Sequence, residues 1–149
     1  VADGKFWISA LGLDIGLKRV GIAGCDGTGL IATGITTLKR SSFDRDVAFL
    51  RAIVQERGVQ ILVVGLPYSL DGELGAQARQ VQKYASRLAA ALSLPLEYAD
   101  ERLTSIEAEE MLKAEGIAPS QNKGAIDKKA AAIILQQWLD DRRQKPVDS

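Results

Sequence analysis

The chain has 149 residues, 46% of them hydrophobic, and its 19 Lys and Arg balance its 19 Asp and Glu. That length and apolar content suffice for one domain, residues 1–149, that buries a core without cross-links. With no His and a single Cys, the composition excludes Ser-His-Asp and Cys-His catalysis, imidazole metal sites, thiolate zinc clusters and paired-cysteine redox chemistry.

The first forty residues predict three strands. Phe6–Asp14 is apolar, Arg19–Cys25 alternates with Val20 and Ile22 on one side, and Ile31–Leu38 is rich in Ile and Thr. The links between them, Ile15-Gly16-Leu17-Lys18 and Asp26-Gly27-Thr28-Gly29, are short and carry Gly, which predicts antiparallel hairpins. Phe43, Val47, Leu50, Ile53 and Val54 then recur at helical spacing, with Ser41, Ser42 and Asp44 available as caps and Gly58 as the stop. Val59–Leu66 is almost continuously apolar, as in a strand covered on both faces, and Pro67 ends it. A polar loop runs from Tyr68 to Gly75. A long helix follows over Ala76–Leu92, its stripe formed by Ala78, Val81, Ala85, Leu88 and Leu92. Pro95–Ala99 reads as a short strand. Thr104 with Glu107 forms a capping box that opens a third helix, and Gly116 ends it. After a loop over Ile117–Gly124, a last helix covers Ala125–Arg143, and Gln144–Ser149 is a frayed polar tail.

The order β-β-β-α-β-α-β-α-α predicts an α/β fold, a mixed five-stranded sheet with helices on both faces. The longest purely apolar run, Ala130–Leu135, is far short of the ~18 residues of a membrane span. No signal-like apolar core follows Val1–Lys5, so neither a membrane nor secretion is expected.

Catalysis in such a chain falls to carboxylates, Lys, Arg, Ser, Thr or a cation held by oxygen ligands, which points to Mg²⁺ or Mn²⁺. Three acids stand at element ends. Asp14 closes an apolar strand two residues before Gly16, where a phosphate could approach closely. Alone, it reads better as an aspartate capping its own turn. Asp100-Glu101-Arg102 follows a strand and precedes a helix, where open α/β sheets bind ligands; helix-start acids are the plainer alternative. Asp127 begins the stripe of Ala131, Ile134 and Trp138, and a carboxylate on a buried stripe needs a partner, a cap or a cation. Together the three fit a site for phosphoryl transfer by divalent cations. Lys18, Arg19, Arg102, Lys123, Lys128 and Lys129 flank them and could hold phosphates, although Lys129 reads as ordinary surface charge.

Two other features carry no function. Gly27-Thr28-Gly29-Leu30-Ile31-Ala32 matches a dinucleotide fingerprint, but a Thr- and Ile-rich strand follows it where the fingerprint requires a helix. Cys25, within an apolar strand, reads as a small packed residue.

Four segments carry a family resemblance: Leu11-Gly12-Leu13-Asp14-Ile15-Gly16-Leu17-Lys18-Arg19-Val20-Gly21-Ile22-Ala23, Val64-Gly65-Leu66-Pro67 with Asp71-Gly72, Asp100-Glu101-Arg102-Leu103-Thr104-Ser105, and Ile126-Asp127-Lys128-Lys129-Ala130-Ala131 with Ile134-Leu135. In this order, over about residues 8–140, they resemble the YqgF/RuvX family. The resemblance implies an RNase H-like fold and a Mg²⁺- or Mn²⁺-dependent endonuclease. Its substrate would be the precursor of small-subunit ribosomal RNA, or a Holliday junction to be resolved. Carried over by motif, the catalytic acids are Asp14, Glu101 and Asp127, with Asp100 as a further candidate metal ligand. Strand alternation would point Asp100 and Glu101 to opposite faces, and Glu101 is favoured. The groups expected at nucleic acid are Gly16, Lys18 and Arg19 in the first hairpin, Arg102, Thr104 and Ser105 in the third motif, and Lys123 and Lys128 near the fourth. The chain departs from the family pattern at Gly24-Cys25-Asp26 and Tyr68-Ser69-Leu70, away from the acids.

The family and the missing signal together imply the cytoplasm. A homodimer would offer two active sites to a four-way junction, and no dimer surface is legible. Two other functions compete. A non-catalytic nucleic-acid or ribosome-associated factor on this fold would keep binding when the acids are lost. A sugar-kinase-like phosphate binder also opens on Asp-x-Gly, but needs a second such domain.

Overall fold

A computed structural model describes residues 7–67, 75–100, 104–116 and 123–144, with the backbone alone at residues 100, 104–107, 109, 123 and 144. The elements are β1 (Ala10–Ile15), β2 (Arg19–Cys25), β3 (Ala32–Lys39), α1 (Phe43–Arg57), β4 (Ile61–Leu66), α2 (Ala76–Leu92), β5 (Leu96–Asp100), α3 (Thr104–Ala114) and α4 (Lys123–Gln144). They form the mixed five-stranded sheet expected, in the order β3-β2-β1-β4-β5. β1, β2 and β3 pair antiparallel, whereas β4 runs parallel to both β1 and β5.

Alternation along the strands builds two cores. Leu11, Leu13 and Ile15 of β1, with Val20, Ile22, Leu62 and Val64, pack under α1 and α2. Ala10, Ala23, Cys25, Ile61 and Val63 face the other way, against Ala131, Ile134, Leu135, Trp138 and Leu139 of α4. β4 is buried throughout, as its unbroken apolar sequence requires.

Element ends follow local chemistry. Ser42 caps α1 by accepting a hydrogen bond from the Arg45 N–H, and Gly58, at φ 60°, closes it in the left-handed region. Several boundaries differ from expectation. β1 starts at Ala10: before it, Ile8 makes only an isolated bridge to Gly27, and the Ser9 N–H turns to the Gln60 side chain at 2.9 Å. β4 starts at Ile61, because the Val59 N–H is taken by the Val54 carbonyl at the end of α1. β5 includes Asp100, paired with Leu66. α4 starts at Lys123, so Gly124 is helical and not part of a loop; its carbonyl receives the Thr37 hydroxyl at 2.7 Å. Residues 68–74 of the first expected loop, residues 117–122 of the second and the tail beyond Gln144 lie outside the described residues. No helix among the described residues is long and apolar enough to cross a membrane.

Candidate active site

Asp14 lies on β1 between Leu13 and Ile15, both of which enter the core beneath α1 and α2. Alternation therefore assigns Asp14 to the α4 face, with Ala10 and Gly12. Its partner across the antiparallel pair is Gly21, and such partners have Cα atoms ~4.5–5.5 Å apart.

Gly21 is the seat of α4. A Cβ built there would stand 2.0 Å from the Asp127 carbonyl oxygen and 2.4 Å from its carbon. Only a residue without a side chain lets the helix backbone come that close. Gly12 repeats this in β1, where a Cβ would meet Leu135 Cβ at 2.8 Å, and Gly34 in β3 adds a tight approach to Lys128 at 3.1 Å. A row of glycines across three strands thus lowers α4 onto the sheet and brings the first turns of the helix over the neighbour of Asp14. This packing sets the Asp127 backbone over Gly21, the strand neighbour of Asp14. The sequence carries a signal for these positions, since isolated glycines inside strands mark a close backbone approach.

The Asp127 carboxylate is 19% exposed and its Oδ2 accepts a hydrogen bond from Arg19 Nε at 2.6 Å. Arg19, expected at a phosphate, thus reaches the acid in this structure. The turn between Asp14 and Arg19 is closed by the Gly16 N–H on the Arg19 carbonyl at 2.8 Å. Lys18 stands exposed on that turn and Lys128 is half-buried beside Gly34. Lys129, expected as an ordinary surface charge, is instead partly buried and pairs with Glu115 at 3.0 Å.

The other expected residues are placed in part. The Asp100 backbone ends β5, two strands from β1. Thr104 and Ser105 open α3, and Lys123 opens α4. Glu101 and Arg102 lie outside the described residues. Among the described residues no three His, Cys, Asp or Glu side chains gather as a metal-binding group. The Asp127 carboxylate keeps part of its surface open, and Asp14 stands on the strand beside the residue it covers; carboxylate oxygens are hard donors, the kind that Mg²⁺ and Mn²⁺ take.

One set of polar side chains next to the site was not foreseen. Asp46, in the first turns of α1, is buried and accepts the Tyr84 hydroxyl at 2.8 Å. Burial, and then the Asp46 carboxylate, push the Tyr84 hydroxyl well above its ordinary pKa. Arg40 lies over the Tyr84 ring at 3.9 Å and donates to the Gly16 carbonyl at 2.6 Å. The signal was available: Asp46 sits four residues before Leu50 and seven before Ile53, on the apolar stripe of α1.

Both dismissed features are structural. Cys25 is buried, accepting from the Ala10 N–H at 3.3 Å and donating to the Ile8 carbonyl at 3.1 Å. Gly27 and Gly29 take positive φ in the turn after β2. There the Asp26 carboxylate gathers the Thr28 hydroxyl and the N–H groups of Thr28 and Leu30. These bonds, the Thr28 hydroxyl foremost, lower its pKa.

The model of the family described as "RuvX: Holliday junction resolvase" matches residues 8–141. A protein of Trichormus variabilis is 73% identical over 143 residues, covering 96% of this chain and 95% of its own length. One of Microcystis aeruginosa is 69% identical over 137 residues, covering 92% and 94%. Both bear the name "Putative pre-16S rRNA nuclease". Among solved structures, Thermus thermophilus RuvC in complex with a Holliday junction substrate aligns over 92% of this chain and 96% of its own, with a TM-score of 0.56 at 16% identity. The sheet order and the helices on its two faces are thus those of the RNase H-like fold. The matched span takes in both acids, the glycine row and nearly the whole sheet, and the chain belongs to the RuvX (YqgF) family.

Proposed function

We infer that the protein is a divalent-cation-dependent endonuclease that hydrolyses phosphodiester bonds in structured nucleic acid, with Asp14, Glu101 and Asp127 as its catalytic acids. The observation that carries this reading is the seating of α4 on Gly21, which brings Asp127 to the strand neighbour of Asp14. Membership of a nuclease family supports the chemistry. Glu101 is preferred to Asp100 on parity: Ala99 packs against the α4 core, and continued alternation would return Glu101, two residues on, to that face.

Mg²⁺ or Mn²⁺ would be held by Asp14, Glu101 and Asp127, with Asp100 in reserve; when bound it supplies a Lewis acid that activates water and neutralises the leaving oxygen. The chain's own groups position and hold. β1 fixes Asp14 at a strand end, Arg19 fixes Oδ2 of Asp127, and the α4 core keeps that helix on the sheet. Gly16, Lys18, Arg19 and Lys128 surround the acids from the hairpin and α4. Arg102, Thr104, Ser105 and Lys123 are the further groups proposed to meet the nucleic acid.

The names of the relatives favour precursor small-subunit ribosomal RNA as the first substrate to try, and the family description favours a four-way DNA junction as the second. A homodimer would present paired sites to such a junction; sedimentation with and without junction DNA tests that. Either substrate puts the protein in the cytoplasm.

The test is cleavage of both labelled substrates with Mg²⁺, Mn²⁺ or EDTA, by wild type, Asp14→Asn, Glu101→Gln and Asp127→Asn. Metal-dependent cutting that all three variants lose is the expected result, and the better substrate decides RNA against DNA. Wild type that binds both substrates but cuts neither, with binding kept in the variants, would transfer the protein to the class of non-catalytic binding factors.

A further inference from the structure

The acids and their flanking cations leave unexplained a run of buried polar contacts behind the β1–β2 turn. Asp46 is 2% exposed, the one charged residue fully buried among the described residues. A buried carboxylate is tolerated only when its oxygens are engaged. Oδ1 accepts from the Ser41 N–H at 3.1 Å and Oδ2 from the Tyr84 hydroxyl at 2.8 Å. The Tyr84 ring in turn supports the Arg40 guanidinium at 3.9 Å.

Arg40 holds the turn twice. Its side chain donates to the Gly16 carbonyl at 2.6 Å, and its backbone N–H donates to the Lys18 carbonyl at 2.9 Å. Among the described residues little else props the turn on that side. A crevice of about 260 Å³, lined by Ile15, Gly16, Leu17, Arg40, Gln77 and Gln80 among others, separates it from α2, and Leu17 at its tip is 78% exposed. The turn nevertheless has Asp14 at one root and Arg19, the partner of Asp127, at the other. A shift of the turn would move both at once.

We propose that Arg40 is a positioning residue of the active site: it fastens the Gly16–Arg19 turn, and Asp46 and Tyr84 hold its guanidinium in place. The proposal rests on the reading of Asp14 and Asp127 as catalytic acids. The site needs this because catalytic groups a fraction of an ångström out of place lose much of their effect. Arginine suits the task because its planar fork can lie over a ring and donate hydrogen bonds in its own plane at the same time, whereas lysine offers a point charge.

The experiment compares wild type, Arg40→Gln, Arg40→Lys and Asp14→Asn in the full chain. It measures Mn²⁺-dependent cleavage of precursor ribosomal RNA and of a four-way junction, hydrogen exchange at the amides of residues 16–20, and thermal unfolding. In Arg40→Gln, kcat on the cleaved substrate should fall about 10- to 100-fold, as for other supporting contacts, with KM little changed. Its turn amides should exchange about tenfold faster while those of α2 keep their protection. Arg40→Lys should recover part of both effects and serves as the test if Arg40→Gln does not fold. Wild-type kcat per folded molecule in these variants, with only the melting temperature lowered, would make Arg40 merely structural and overturn the proposal. So would unchanged exchange at the turn. Asp14→Asn should abolish cleavage and leave the turn's exchange as in wild type. If Asp14→Asn still cuts, the site reading fails on that ground alone, and with it any catalytic meaning of the turn.

Discussion

A methyl group on residue 21 has nowhere to go. In Gly21→Ala the new carbon would overlap the Asp127 carbonyl, so the start of α4 must lift from β2. The expected cost is about 1–3 kcal/mol, as for other overpacked sites, read by urea unfolding, together with a loss of cleavage in the folded protein. Gly124→Ala is the matched control: the nearest atoms to its Cβ, on Thr37, are 3.7 Å away, and the helix gains by about 1 kcal/mol or less from the better helix former. At Arg19 stability and activity should separate. The pair with Asp127 is partly exposed, so Arg19→Ala costs at most about 1 kcal/mol in unfolding experiments, yet it frees the carboxylate and should strongly reduce cleavage. Tyr84 carries a pH signature. Its folded pKa is raised, so above pH ~10 the unfolded chain releases a proton that the native protein keeps. Stability from this group is complete below that pH and is lost as pH rises beyond it. Tyr84→Phe should flatten the fall in unfolding free energy above about pH 10.

At the scale of elements, local signals acted where local chemistry decides. Helix α1 was legible from the spacing of Val47, Leu50 and Val54, and the structure selects Ser42 from three candidate caps. Removing that cap by Ser42→Ala should cost about 1 kcal/mol in thermal or urea unfolding. Boundaries set by distant partners were not legible. β1 begins late because Ser9 answers to Gln60, 51 positions away, and α4 begins early where Thr37 of β3 meets Gly124. The site divides the same way. Residue chemistry and motif order single out Asp14 and Asp127 as candidates, but nothing local in either shows that the start of α4 lies over the strand beside Asp14. That follows from Gly12, Gly21 and Gly34 opening the α4 face of three strands, Gly12 and Gly34 on either side of Ala23 and Gly21 opposite Asp14, a placement visible only once the sheet is assembled. The link from Asp46 through Tyr84 to Arg40 was hidden for the same reason, since it joins two helices and the end of β3.

For the molecule as a whole, the balance of 19 basic and 19 acidic residues means that no global field draws in nucleic acid. On the proposed reading, binding comes from local cations such as Lys18 and Lys128. Its affinity should therefore fall with salt, and Lys18→Ala or Lys128→Ala should each reduce the slope of log affinity against log salt by about 0.9 on duplex DNA, or about 0.7 on single strands, in titrations from low to moderate salt. The two cores also differ in what they require. The α1–α2 side is assembled from strands and helices that end by Asp100, whereas the opposite side of the sheet, with Ala10, Ala23, Ile61 and Val63, is covered by α4. Arg19 and the Asp127 it holds are 108 positions apart. A ribosome therefore makes β1 with Asp14 early and α4 with Asp127 late, and a nascent chain that has not reached α4 leaves one face of its sheet uncovered. On the proposed assignment of the acids, hydrolysis can begin only after the last helix has been made.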